Sequence, residues 1–173
     1  MQKNIIVIGH VDHGKTTFLR ALDRFINGEP KFDPHAHELS FSVSYNIGED
    51  SYTVFDYGGH HQYMENIGKN DEWAAILICS ATDGPMPQTS EQVKLCKERG
   101  IERIAVFMTN CDLAYDEDIQ DFVLYDIMDI LEENGYTGDI PVERGSAQRA
   151  LDWAKEEDKK LFFGFLQKIH RMK

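Results

Sequence analysis

The segment from Gly9 to Thr16 reads G-H-V-D-H-G-K-T and fits the phosphate-binding loop pattern G-x-x-x-x-G-K-[ST]. Its glycines let the backbone come close to phosphates, and its N–H groups form a cradle for anions together with the N-terminus of the next helix. The pattern predicts that Lys15 reaches the terminal phosphates and that the Thr16 hydroxyl can ligate Mg²⁺. It therefore requires a strand before the loop and a helix after it.

Both flanks of the loop meet this requirement. Residues 3–8 form an apolar run of strand type, and residues 17–22 continue as an amphipathic helix. Strand, loop and helix in this order predict nucleotide binding. The alternative is a decayed loop that is kept only for folding.

The rest of the chain alternates between strand and helix patterns. Residues 40–47 alternate between polar and apolar, which indicates a half-exposed edge strand, and a turn at 48–50 leads into a second strand at 51–55. Continuous apolar runs at 74–79 and 104–108 indicate buried parallel strands. Helical patterns lie at about 88–99, 116–134 and 155–170. The predicted fold is α/β, a three-layer P-loop NTPase fold with a mostly parallel sheet, one antiparallel edge strand and helices on both faces.

Length and composition narrow the setting of this fold. The 173 residues suit a single domain spanning 1–173, and the net charge of −12 argues against general nucleic-acid binding. No apolar run is long enough to span a membrane, and the chain begins directly with the first strand rather than a signal peptide. Cys79, Cys96 and Cys111 lack metal-type spacing and suggest reduced thiols in a cytoplasmic protein.

Three further segments follow strands and are candidate site loops. Residues 56–60 read D-Y-G-G-H, residues 109–112 read T-N-C-D, and residues 144–147 read R-G-S-A. Loops at the carboxyl ends of parallel strands are where such sheets bind ligands. An Asp at a strand end, here Asp56, suits a Mg²⁺ site.

These motifs together resemble the translational GTPase family, most closely the GTP-binding domain of elongation factor Tu. The resemblance rests on G-H-V-D-H-G-K-T-T at 9–17, D-x-x-G-H at 56–60, A-T-D-G-P-M-P-Q-T at 81–89 and R-G-S-A at 144–147. That factor has two further β-barrel domains, which have no counterpart in these 173 residues. We therefore expect no delivery of aminoacyl-tRNA.

The resemblance implies a role for each motif position, with GTP or GDP and Mg²⁺ as ligands. Mg²⁺ is ligated by Thr16 and Ser40, and Asp56 acts through water. Gly59 senses the γ-phosphate, and His60 orients the attacking water, so that His60 and Lys15 are the expected catalytic residues. The implied phosphate-binding set is Gly9, Val11, Asp12, His13, Gly14, Lys15, Thr16 and Thr17.

The guanine base is expected at the second and third loops. By the resemblance, Asp112 reads the N1 and N2 donors of guanine, and Ser146 and Ala147 contact its O6 face. The family motif N-K-x-D is altered here, because Thr109 and Asn110 replace the Asn and the Lys. Asn110 is a partial stand-in for the missing Asn, one position out of register.

The departures from the family lie in the base motif and in two switch segments, whereas the phosphate loop is intact. In the first switch, residues 38–41 read E-L-S-F where the family has G-I-T-I, and in the second, Tyr57 and Gly58 replace the family's Cys-Pro. This pattern leaves two functions open. One is a GTP-binding protein of the translation-factor type with weak or slow GTP hydrolysis. The other is a non-hydrolysing pseudo-GTPase that acts as a protein-interaction module. In either case a protein partner is expected at the switch regions or at the 116–134 helix, and a membrane is not.

Overall fold

The structure is a computed structural model and describes residues 1–28, 41–56 and 72–172. Within these ranges, six strands form one sheet. The strands are β1 (Gln2–Ile8), β2 (Phe41–Ile47), β3 (Asp50–Asp56), β4 (Glu72–Ser80), β5 (Ile104–Thr109) and β6 (Val142–Arg144). Their order across the sheet is β2-β3-β1-β4-β5-β6. Only the β2–β3 pair is antiparallel, so the predicted mostly parallel sheet with one antiparallel edge strand is confirmed.

Five helices are described, and they cover both faces of the sheet. They are α1 (Lys15–Asn27), α2 (Pro87–Glu98), α3 (Glu117–Glu133), α4 (Ala147–Trp153) and α5 (Glu156–His170). Three of these, α2, α3 and α5, begin and end within one residue of the predicted bounds. The helix α4 was not predicted, because its segment was interpreted only as a loop after β6. None of the described helices combines the length and the apolar character needed to cross a membrane.

Two hydrophobic clusters form the core, one on each face of the sheet. On one face Phe18 of α1 packs against Phe107 of β5 and Phe162 of α5. On the other face Val93 of α2 and Ile127 of α3 pack against the opposite side chains of β4 and β5. The continuous apolar sequence of β4 and β5 follows from this arrangement, since both strands are covered on both sides.

The position of β1 decides where a ligand can bind. It pairs with β3 on one side and with β4 on the other. The strands that follow it in sequence therefore lie on both sides of it, β3 and β2 on one and β4, β5 and β6 on the other. In doubly wound sheets the crevice at the carboxyl end of such a strand is the place where ligands bind. The phosphate loop follows β1 directly and lies at this point.

Candidate functional site

The backbone of the phosphate loop takes conformations that favour glycine. Gly9 has φ 142°, and a Cβ there would lie 2.2 Å from the carbonyl oxygen of Ile78 in β4. Gly14 has φ 87° and precedes the first residue of α1. The first N–H groups of a helix have no partner within the helix, and Gly14 has no side chain that could cap them. These N–H groups are therefore available to an anion.

Lys15 lies over the loop and is almost fully buried. Its Nζ donates to the carbonyl oxygens of Gly9, at 2.9 Å, and of His10, at 3.0 Å. Burial lowers the pKa of Lys15, and the nearby carboxylates of Asp56 and Asp12 oppose this effect. The ammonium group is thus fixed against the first two carbonyl groups of the phosphate loop.

Two of the three groups expected at a Mg²⁺ site meet beside Lys15. The Thr16 hydroxyl donates to Oδ2 of Asp56 at 2.6 Å, which connects the start of α1 with the end of β3. Both supply oxygen atoms, which Mg²⁺ prefers, so the donor set fits the ion. A cavity of about 370 Å³ opens here, and it is lined by Val11, Asp12, Gly14, Lys15, Thr16 and Thr17.

Hydrogen bonds from α2 and from the end of β4 hold the phosphate loop in place. The N–H of Gly9 donates to Oε1 of Gln92 at 2.6 Å, and Nδ1 of His10 lies 2.8 Å from Oε1 of Gln88. His13, expected among the phosphate-binding residues, is only 2% exposed, and its Nδ1 accepts from the Ser80 N–H at 3.5 Å. Its side chain therefore supports the loop from the protein side. Burial lowers the pKa of His13, and electrostatic interaction with the neighbouring His10 ring adds to this.

The two loops expected to bind the guanine base, residues 109–112 and 144–147 (the base loops), lie side by side after β5 and β6. The Cys111 N–H donates to the Gly145 carbonyl at 3.1 Å, and the Gly145 N–H donates to the Met108 carbonyl at 2.9 Å. Next to these bonds, Oδ1 of Asp112 is buried and has no hydrogen-bond partner among the described residues. A buried acceptor without a partner is costly, and guanine carries two donors, N1–H and the N2 amine, that would satisfy it.

Thr109 connects the base loops to each other. Its Oγ1 accepts from the Ala147 N–H at 3.2 Å. Its methyl carbon would lie 3.8 Å from a Cβ at Gly14, so it also faces the phosphate loop. Ser146 is 2% exposed and caps α4, because its Oγ accepts from the Arg149 N–H at 3.1 Å.

Asn110 points away from these contacts. It has φ 60°, and its Nδ2 donates to the Ser80 hydroxyl at 3.0 Å, at the end of β4. In this structure the side-chain connection between the base loops is made by Thr109, whereas the sequence suggested Asn110 as the stand-in.

Residues 35–169 match the family model for the elongation factor Tu GTP-binding domain. The chain belongs to this family. It is a GTP-binding protein of the translation-factor type, and the α/β fold described above agrees with the match.

Three of the residues expected at this GTP-binding site, Ser40, Gly59 and His60, lie outside the described residues. The others lie at one end of the sheet, at the carboxyl ends of β1, β3, β5 and β6. The structure adds two contacts that sequence reasoning did not find, Gln92 below Gly9 and Thr109 against Ala147. Gln92 has no local signal in the sequence. For Thr109 the signal is its place in the altered N-K-x-D motif.

Proposed function

We propose that this protein is a Mg²⁺-dependent GTPase that hydrolyses GTP slowly to GDP and phosphate when alone. The observation that carries the proposal is the close approach of Thr16 and Asp56 beside Lys15, on an intact phosphate loop. In this assignment Thr16 and Ser40 would hold the ion directly, and Asp56 would hold it through water. When bound, Mg²⁺ supplies positive charge to the β- and γ-phosphates.

The protein's own groups then account for a slow rate. Lys15 neutralises charge that develops on the γ-phosphate, and Gly59 binds it through its N–H. His60 orients the attacking water once its segment places it within hydrogen-bond reach. Gly58 stands where the family has proline, and a glycine there raises the conformational entropy that must be lost to reach that arrangement. Without an arginine finger or an activating partner, related GTPases turn over at about 10⁻⁴ to 10⁻³ per second, and we expect a rate in or below this range.

Guanine recognition is proposed to rest mainly on Asp112. The buried, unpaired Oδ1 of Asp112 supports this, since it offers an acceptor to N1–H or to the N2 amine. The family's Asn and Lys are absent, so GTP should be preferred over ATP by a smaller margin than in members with an intact motif. Inosine nucleotides lack the N2 amine and should bind more weakly than guanine nucleotides. Competition binding with GTP, ATP, ITP and XTP measures this preference, and equal affinities would exclude Asp112 as the base reader.

A non-hydrolysing interaction module is the second candidate. It is favoured by an exposed apolar surface at the start of α3, where five of the eight exposed large apolar side chains among the described residues lie. These are Leu113, Tyr115, Ile119, Phe122 and Tyr125. Acidic neighbours such as Asp118 and Asp121 surround them. A basic amphipathic helix of a partner would complement this surface.

The proposal also covers domain organisation, cellular location and binding of aminoacyl-tRNA. We propose a single GTP-binding domain over 1–173 in the cytoplasm, which agrees with three free cysteines, two of them buried. Aminoacyl-tRNA delivery is not proposed as part of the function, because the net charge of −12 argues against a broad nucleic-acid contact surface on these residues. A gel shift with aminoacyl-tRNA and a non-hydrolysable GTP analogue tests this; a tight GTP-dependent complex would contradict it.

The test of the proposed function combines nucleotide binding with single-turnover phosphate release. Lys15→Ala should abolish Mg²⁺-dependent GTP binding, whereas Lys168→Ala, whose side chain contacts Glu143 and the Val142 carbonyl in β6, should leave it unchanged. Equal affinity in Lys15→Ala and the parent would contradict the assignment.

Hydrolysis is tested separately with His60→Ala and, as a matched control, His61→Ala. The His60→Ala variant should lose the slow rate, and His61→Ala should keep it. Bound GTP that is not hydrolysed above background would favour the interaction module. A measurable rate that His60→Ala leaves unchanged would remove His60 from the mechanism.

A further inference from the structure

The N–H of Ala147 is already engaged in the described structure. It donates to Oγ1 of Thr109 at 3.2 Å, and both residues are only 1% exposed. Ala147 begins α4, where a backbone N–H has no partner within the helix. The Thr109 hydroxyl therefore satisfies a donor that would otherwise point toward the base loops.

The neighbouring polar side chains are also turned to other partners. Asn110 donates to the Ser80 hydroxyl at 3.0 Å, and that hydroxyl also lies 2.8 Å from the hydroxyl of Thr82. Ser146 is buried under the first turn of α4, where it accepts from the Arg149 N–H. In contrast, the carboxylate of Asp112 has one buried oxygen with no hydrogen-bond partner in the part of the chain that the structure describes. The base loops thus present a free acceptor, while their amide donor is occupied.

Guanine carries complementary groups on two edges. Its N1–H and N2 amine are donors, and its 6-oxo group is an acceptor. An acceptor on the protein reads the first edge, and a free donor would be needed to read the second. We propose that this chain recognises the N1 and N2 edge of the base and largely ignores the acceptor at position 6, with Thr109 as the residue that sets this specificity. The inference rests on the proposed function, because it assumes that Asp112 binds the base.

The proposal defines a ligand class: purine nucleotides with N1–H and a 2-amino group, whatever acceptor stands at position 6. The probe pair is GDP and 6-thio-GDP, which share N1–H and the 2-amine but differ at position 6. Sulfur is a weak hydrogen-bond acceptor compared with a carbonyl oxygen. The parent should bind the two nucleotides with affinities within about threefold of each other, since less than one full hydrogen bond separates them.

Two substitutions at Thr109 isolate the hydroxyl. Thr109→Val is nearly isosteric and frees the Ala147 N–H, so it should bind GDP about two- to tenfold more tightly and 6-thio-GDP with little change. Thr109→Ser keeps the hydroxyl and should retain the parent ratio. Sulfur is larger than oxygen, so part of any difference between the two nucleotides comes from size. The decisive quantity is therefore the ratio of the GDP affinity to the 6-thio-GDP affinity, compared between Thr109→Val and Thr109→Ser, because the effect of size is the same in both variants.

Each outcome of this experiment has a definite meaning. A ratio that rises in Thr109→Val but not in Thr109→Ser supports the proposal. An unchanged ratio in Thr109→Val, or the same rise in Thr109→Ser, overturns it while GDP binding itself stands. A parent preference for GDP above about tenfold also overturns it and needs no variant to be folded. Absence of GDP binding by the parent overturns the proposed function as well, which keeps the two failures distinct.

Discussion

At the scale of single residues, Gly9 is constrained from both sides of its loop. One side faces the phosphate cradle, and the other approaches β4 so closely that a Cβ would lie 2.2 Å from the Ile78 carbonyl oxygen. Real Cβ atoms do not come this close to an oxygen atom, and β4 is a central strand that cannot move aside without breaking the sheet. A side chain at Gly9 must therefore displace the loop.

We predict that Gly9→Ala destabilises the fold by about 2–5 kcal/mol, the sum of steric overlap and backbone strain, and abolishes GTP binding. Gly48→Ala is the matched control, since Gly48 also has positive φ, 59°, but nothing lies within 4 Å of its Cβ position. The control should lose about 1–2 kcal/mol and bind GTP normally. Urea unfolding and nucleotide titration of both variants decide the point; normal GTP binding by Gly9→Ala would contradict it.

At the scale of elements, α2 is joined to the phosphate loop by two glutamines. Gln92 is buried and accepts from the Gly9 N–H at 2.6 Å, whereas Gln88 makes a more exposed contact with His10 at 2.8 Å. The two side chains are of one type, on one helix and one turn apart. They differ in burial, and this difference predicts their energies.

Gln92→Met should lower the free energy of unfolding by about 1–3 kcal/mol, because it leaves a buried backbone N–H without an acceptor. It should also weaken GDP binding, since the first residue of the loop loses its support. Gln88→Met should change stability by no more than about 0.5 kcal/mol. Chemical denaturation with and without GDP separates the two effects, and equal losses in both variants would refute the assigned role of burial.

A second link between elements joins α4 to α5. Nη2 of Arg149 lies 2.6 Å from Oδ1 of Asp158, whose side chain is 3% exposed. This hydrogen bond raises the pKa of Arg149, while desolvation acts against it. The pair fixes the short helix α4, and with it the Ala147 N–H, against the first turn of α5.

We expect Arg149→Met to destabilise the protein by about 1–3 kcal/mol; this is below the full value for a buried pair, because Arg149 is about one-third exposed. The exposed pair of Lys94 and Glu98, one helical turn apart on α2, supplies the control. Lys94→Met should cost no more than about 0.5 kcal/mol. Thermal unfolding monitored by circular dichroism compares them, and a larger loss in Lys94→Met would be inconsistent with this interpretation.

The elements themselves could be predicted from local patterns, but several contacts could not. The β1-loop-α1 unit and the strands β4 and β5 follow from sequence, since motif and apolar runs are local signals. The helix α4 has only seven residues, and its one local cue is the cap at Ser146. The bond between Thr109 and Ala147 joins residues 38 positions apart. It depends on how β5 and β6 align, which no local pattern encodes.

At the scale of the whole molecule, the two ends of the sheet carry different chemistry. The proposed nucleotide site lies at the carboxyl ends of the parallel strands, and an ionic cluster lies at the other end. There the Asp50 carboxylate accepts from Nζ of Lys3 at 2.7 Å and from the Met1 amino group at 3.0 Å. These two hydrogen bonds lower the pKa of Asp50 to about 2.

This shift predicts a pH-dependent contribution to stability. The folded-state pKa of Asp50 is below its ordinary value, so the contribution is present above about pH 4 and is lost as the pH falls toward 2. Asp50→Asn should lower the urea midpoint at pH 6 and should flatten the decline between pH 4 and pH 2.5. The exposed neighbour Glu49 provides the control, and Glu49→Gln should keep the parent's slope. A parent slope retained in Asp50→Asn would contradict the prediction.

The bond between Gly9 and Gln92 also has a consequence for communication across the molecule. A ligand that shifted α2 enough to break this bond would change the loop's affinity for phosphate, and by thermodynamic reciprocity the nucleotide would change that ligand's affinity by the same factor. A tenfold coupling corresponds to about 1.4 kcal/mol, which is the scale of one buried hydrogen bond. The contact between Gly9 and Gln92 is therefore a point at which a displacement of α2 and nucleotide binding would be coupled.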